Sequence, residues 1–208
     1  MSFISRLKKE KPQQTPAKNW VQALFRDLDI IYIFVAIILL NVLLFRVTVV
    51  NGDSMNQTLV DGDKLLLISN TVYRNPKQGD IIVASKDSFR DGECIVKRII
   101  ATEGQLVEID FENRVIKVDG QVLEESYAYF AANDHGPLHS EGVSFPQTVP
   151  EGCVFVMGDN RNDSMDSRHP NIGFIDQREI LGKAIFLLFP GTDDGTIPAD
   201  YSRIGGLN

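Results

Sequence analysis

Hydrophobic positions fall into two regimes along this 208-residue chain. From Ile30 to Phe45 the sequence IIYIFVAIILLNVLLF carries no charge and one polar residue, Asn41. Arg46 interrupts, and Val47-Thr48-Val49-Val50 resumes the apolar character. Counted through Val50, the stretch reaches about 31 Å as a helix at ~1.5 Å per residue, enough for a ~30 Å hydrocarbon core. It has no polar face, so it reads as a membrane span and not as an amphipathic core helix. Arg46, near one end, can snorkel to the headgroups.

After Val50 the pattern changes to short apolar runs punctuated by Gly, Asp, Asn and Pro. Residues 65–68, 81–83, 95–100, 106–111, 114–118, 154–157 and 185–188 all have strand length. Val107-Glu108-Ile109-Asp110 alternates cleanly, and Asp119-Gly120 between two such runs is a hairpin turn signal. Gln177 to Lys183 and Glu125 to Ala132 are predicted as short helices. Residues 191–208 are polar and Gly-rich, which predicts a loose tail. The expected organisation is a leader at 1–29, an anchor at 30–50 running into the first strand, a body at 51–190, and the tail. A mainly β body follows, an antiparallel sheet or barrel-like.

Composition adds exclusions. With 43% hydrophobic and 24% charged residues, the chain is neither wholly disordered nor collagen-like. The net charge is −7, yet residues 1–29 hold Arg6, Lys8, Lys9, Lys11, Lys18 and Arg26 against Glu10, Asp27 and Asp29. The remainder is therefore strongly acidic, which argues against nucleic-acid binding. A basic leader before the span places the N-terminus in the cytosol and the body outside, in a single-pass arrangement. A cleaved secretory signal would have a shorter leader and a small-residue A-x-A site, which Arg-Val-Thr-Val-Val-Asn-Gly does not supply. Cys94 and Cys153 are too few for a disulfide scaffold; they either bridge or, as the commoner reading, are two buried thiols. His135, His139 and His169 form no zinc-spaced cluster, so no metal is expected.

Three stretches are unusual for a plain β domain. They are residues 50–59 (VNGDSMNQTL), 94–100 (CIVKRII) and 158–168 (GDNRNDSMDSR). In the second, Ile95, Lys97 and Ile99 share a strand face, so a lysine is carried towards the core. Burial disfavours an ammonium, and lowering its pKa from ~10.4 to ~7 takes about 5 kcal/mol of differential interaction. A neutral lysine is a general base, and a serine hydroxyl is a nucleophile it could activate. The plain alternative is that Lys97 and Arg98 snorkel from an edge strand. The third stretch fails as a calcium loop, since the sixth position from Asp159 is Ser164 and not Gly. Asn56-Gln57-Thr58 and Asn162-Asp163-Ser164 match glycosylation sequons by coincidence.

Together these stretches resemble type I signal peptidases, membrane-anchored serine proteases with a Ser–Lys dyad. Gly52-Asp53-Ser54-Met55 with Thr58-Leu59 is similar to that family's nucleophile box, in its compact branch. Gly79-Asp80-Ile81-Ile82-Val83 resembles the following strand box, Val96-Lys97-Arg98 the lysine box, and residues 158–168 the family's GDNRxxSxDSR segment. Gly173-Phe174-Ile175 continues the likeness, which runs in order from about residue 30 to 189.

The resemblance implies a fold and a set of roles. Ser54 would be the nucleophile, Lys97 the general base, and Ser164 the residue that hydrogen-bonds and orients the amine. Asp166 and Arg168 would form an ion pair bracing the loop, and Met55 would help position the nucleophile. The implied partners are the lipid bilayer and secreted preproteins cut after small residues at −3 and −1; no cofactor is implied, and a monomer is expected. The substrate strand would add by β-augmentation near residues 49–52 and 79–84, with Asn51, Gly52, Asp53, Asp80, Ile81 and Ile82 as binding residues. Gln57 stands where family members usually have Pro, and Gly52 where some have an oxyanion-assisting serine. Two rivals are a self-cleaving repressor-type Ser–Lys protein, with which the span conflicts, and an inactive anchored binding or assembly protein on the same scaffold.

Overall fold

The structure is a computed structural model that describes residues 16–86, 89, 92–130, 138–139, 142–192 and 198–207. The chain divides between Val42 and Leu43 into two units.

The first unit is built on a helix, α1 (Pro16–Leu44). Pro16 suits its first turn, where an N–H has no intrahelical partner to lose. Phe25–Leu44 is the apolar part, 20 residues with mean hydropathy 2.4 and none of the window buried. At ~1.5 Å per residue this is about 30 Å. Asn41 satisfies its amide within the helix by donating to the Ile37 carbonyl at 2.8 Å. The helix stops at Leu44, so the anchor is not helical through Val50. Phe-Arg-Val-Thr-Val instead forms β1 (Phe45–Val49), whose alternating, β-branched pattern pairs antiparallel with β2 (Lys64–Ser69) from Phe45↔Ile68 to Val49↔Lys64.

The second unit is antiparallel β structure. It adds β3 (Ile81–Ser85), β4 (Cys94–Thr102), β5 (Leu106–Asp110), β6 (Val115–Val118), β7 (Gln121–Val122), β8 (Gln147–Thr148), β9 (Cys153–Met157), β10 (Ile175–Asp176), β11 (Ile180–Phe189) and β12 (Gly205–Gly206). One sheet has the order β1-β2-β11-β3-β4-β9-β10, with β12 also on β11; the second is β7-β6-β5-β8. Both are open orders and not a closed barrel. Asp119-Gly120 makes the β6–β7 turn, as its hairpin signal predicts. Ile100, Ala101, Phe155 and Met157 of the first sheet pack with Val107, Ile116 and Val118 of the second.

Several sequence expectations change. Gln177–Glu179 is one 3-10 turn, capped by the Asp176 side chain, after which Ile180 starts β11. Pairing with both β2 and β3 holds that apolar run extended, so the short helix expected there does not form. Residues 125–130 are not helical, and Ala131 and Ala132 lie outside the described residues. The tail is partly fixed: β12 pairs with β11, and Arg203 chelates Asp63 at 3.1 and 2.6 Å. Cys94 is exposed and Cys153 intermediate, both free, so they are not two buried thiols.

Candidate active site

Ser54 belongs to the loop joining β1 to β2. Val50 extends the strand ladder by one step, donating to the Asp63 carbonyl and accepting from Gly62. Gly52 then reverses the chain at φ +83°, a region that favours glycine, while its N–H donates to Asp61 Oδ1 at 2.7 Å. Met55 is fully buried among Val50, Leu59, Leu65, Leu67 and Ile81, and so anchors the residue next to Ser54 in the core. Asn51 and Asp53 have exposed side chains on the cavity wall.

Lys97 lies in the middle of β4, opposite Ile82 of β3 and on the same face as Ile95 and Ile99. Those isoleucines are at most 5% exposed, and Lys97 itself is 4% exposed. Its Nζ lies 2.5 Å from Ser54 Oγ. Burial lowers the amine to about 8, with Asp166 and Asp159 opposing and Arg168 assisting the shift. Both carboxylates are engaged elsewhere, Asp166 by Arg168 and Asp159 by Arg98. Among the described residues no carboxylate forms an ion pair with Lys97.

The loop after β9 supplies the remaining groups. Arg168 grips Asp166 through Nε at 2.8 Å and a terminal nitrogen at 2.7 Å, and also donates to the Arg161 carbonyl. Desolvation would raise the Asp166 carboxyl, but Arg168 and the Gly158 N–H hold it below the usual range. Gly158 is a close approach: a Cβ there would fall 2.3 Å from the Ser54 carbonyl oxygen and 2.2 Å from Ser164 Oγ. Ser164 lines the cavity with Ser54 and Lys97, but its buried hydroxyl has no hydrogen-bond partner. The expected hydrogen bond from Ser164 to the lysine amine is therefore not made here.

These groups line a cavity of about 1000 Å³, walled by residues 48–54, 93–97 and 161–165 with Phe89, His139, Arg168 and His169. Asp80, Ile81 and Ile82 are absent from that wall. β3 is an interior strand, paired with β4 on one side and β11 on the other, so it has no free edge for a peptide. Asp80 is instead held by Tyr73, the Lys77 N–H and Lys183. An open edge beside the cavity belongs to β4, where residues 94–97 pair with β3 alone because β9 joins only from Arg98 onward; β1, at the end of the sheet, likewise pairs with β2 alone. An apolar run that serves as strand does not disclose which of its sides is paired: of the two expected edges, residues 49–52 do line the cavity, whereas β3 is paired on both sides. Sequence reasoning also gave no role to Asp159 and Asn160, whose one signal was the density of polar residues in 158–168, or to Arg98, whose signal was a second cation inside an apolar strand.

The arrangement is a buried, uncharged-prone amine in contact with a hydroxyl, at the wall of a peptide-sized cavity with an unpaired strand edge. A sequence model of the family described as "Signal peptidase, peptidase S26" matches residues 20–189. A Synechocystis protein named "Probable signal peptidase I-1" is 36% identical over 176 residues, covering 79% of this chain and 83% of its own. "Signal peptidase I" of Bacillus licheniformis is 33% identical over 178 residues, covering 83% and 88%. A crystal structure of a signal peptidase I from Enterococcus faecalis shares 31% identity and covers 53% of this chain and 97% of its own, with a TM-score of 0.40.

Proposed function

The chain belongs to the signal peptidase family, peptidase S26, and from that premise we propose how its own residues perform the cleavage. It is a serine endopeptidase that removes signal peptides. Ser54 is the nucleophile and Lys97 the general base. The observation that carries this reading is the 2.5 Å contact between Ser54 Oγ and a lysine nitrogen that is 4% exposed.

The neutral Lys97 amine takes the Ser54 hydroxyl proton as Oγ attacks the scissile carbonyl carbon. The resulting ammonium protonates the leaving amine, which frees the new N-terminus and leaves an acyl ester on Ser54. A water then attacks that ester, again with Lys97 as base, and Ser54 is regenerated. The Ser54 N–H donates to no other group among the described residues, so it is available to the oxyanion. Gly52 provides no side-chain donor, and its N–H is taken by Asp61.

The substrate main chain lies extended against the unpaired side of Cys94–Val96, between that edge and residues 49–53, by β-augmentation. Ile95 and Val96 border this path, which favours small side chains at −3 and −1 of the preprotein. α1 anchors the enzyme in the membrane, with the basic leader cytosolic and the β domain on the opposite side. Substrate and enzyme then share one bilayer, which raises their effective concentration.

The direct test is Ser54→Ala in the full-length protein, assayed on a preprotein with Ala at −3 and −1. Cleavage is expected to disappear while the protein keeps its circular dichroism spectrum and still inserts in vesicles. Retained cleavage would remove Ser54 from the mechanism.

A further inference from the structure

Ser54 and Lys97 stand 43 positions apart in sequence, on a loop and a strand. Their mutual hydrogen bond does not by itself hold the two backbones at the spacing it needs. We propose that one buried segment, Asp159-Asn160, sets that spacing by gripping both sides, and that Thr58 and Asn160 are positioning residues of the Ser–Lys pair. This inference rests on Ser54 and Lys97 being the catalytic groups.

On the strand side, Asp159 is fully buried and takes both arms of Arg98, the residue after Lys97, at 2.9 and 2.7 Å. On the loop side, the same carboxylate accepts from Thr58 Oγ1 at 2.6 Å, four residues beyond Ser54. Asn160 then bonds two successive carbonyls of the nucleophile loop. Its side-chain amide donates to the Asp53 carbonyl at 3.1 Å, and its backbone N–H to the Ser54 carbonyl at 3.1 Å. Gly158, without a side chain, lets that Ser54 carbonyl approach.

The segment is itself held from behind. Arg161 chelates Glu125 at 2.5 and 2.6 Å and donates to the Gly158 carbonyl. Tyr129 exchanges backbone hydrogen bonds with Asp159 and Arg161 at 2.7 and 2.9 Å. Thr58, Asp159 and Asn160 are not among the cavity-lining residues, so none is placed to touch substrate. They act through where Ser54 stands relative to Lys97. A misplacement on the order of 1 Å can cost about 10²-fold in rate.

The test uses the full-length protein in detergent and a preprotein with Ala at −3 and −1. Thr58→Val removes the hydroxyl while leaving the Arg98–Asp159 chelate, and Asn160→Ala removes the bond to Asp53. Each is expected to lower kcat by about 10- to 100-fold, with KM nearly unchanged. The acid limb of the kcat–pH profile should stay at its wild-type position, because the burial of Lys97 is untouched. Thr58→Ser is expected to restore kcat, since it returns the hydroxyl. Equal kcat in the Val and Ser variants, a loss confined to KM, or a loss matching a fall in folded fraction would each overturn the inference. Ser54→Ala and Lys97→Ala run alongside. If those retain cleavage, the catalytic reading itself fails; if they are dead while Thr58→Val and Asn160→Ala keep wild-type kcat, only the positioning role fails.

Discussion

Two lysines of the large sheet make an instructive pair. Lys97 on β4 and Lys183 on β11 both project from strands flanked by apolar residues, and both are neighbours of β3 in register, through the same residue Ile82. Lys183 is partly exposed and meets Asp80 at 2.5 Å. Asp80 also accepts from the Tyr73 hydroxyl, whose ionisation burial and then Asp80 push upward. That lysine is held by a carboxylate. Lys97 is more deeply buried and has no such partner, because Arg98 and Arg168 hold the two nearby aspartates. What sets the two strand lysines apart is thus first the burial of Lys97, which lowers its amine, and second that arginines, and not the amine, hold the nearby carboxylates.

The strongest way to break this contrast is Lys97→Met. Cleavage should fall by about 10²–10⁴-fold or more, the range associated with a lost general base. The same variant carries a stability signature. Lys97 has a folded pKa near 8 against ~10.4 unfolded, so the unfolded chain binds more protons between those values and stability rises with pH across that window. Below pH 8 the buried ammonium costs about 3 kcal/mol. Lys97→Met should therefore be more stable than wild type at pH 7, with the gap closing towards pH 10.5 in chemical denaturation. The wild-type kcat should correspondingly fall as pH drops below about 8.

Next in size is Arg168→Met, which frees Asp166 to act on Lys97. The amine pKa is expected to rise, moving the acid limb of the kcat–pH profile upward by about one pH unit or more. Breaking the buried pair should also cost about 3–5 kcal/mol in denaturant unfolding. An unmoved acid limb in folded protein would show that Arg168 does not protect the amine. The smallest effect belongs to Lys183→Met. Asp80 keeps Tyr73 and the Lys77 N–H, so a loss of about 1–2 kcal/mol is expected with kcat unchanged. A large kcat loss there would erase the distinction between the two lysines.

The sequence alone determined the apolar span, most strands of the β body, and the Ser54–Lys97 and Asp166–Arg168 pairings that the resemblance implied. The span, the strands and the polar boxes are readable because strand and helix periods, turn residues and clustered polar residues are local properties of the chain; the two pairings came from the resemblance alone. The tertiary structure decided the rest. It ended the helix at Leu44, since residues 45–49 gain a strand partner in β2. It turned residues 180–183 from expected helix into β11, buried β3 between two neighbours, and left an open edge on β4. It also joined Asp159 to Arg98 and Thr58, and left Ser164 unpartnered. Pairing side, register and the neutralisation of one charge by another depend on segments distant in the chain, and a local pattern of side chains carries no record of them.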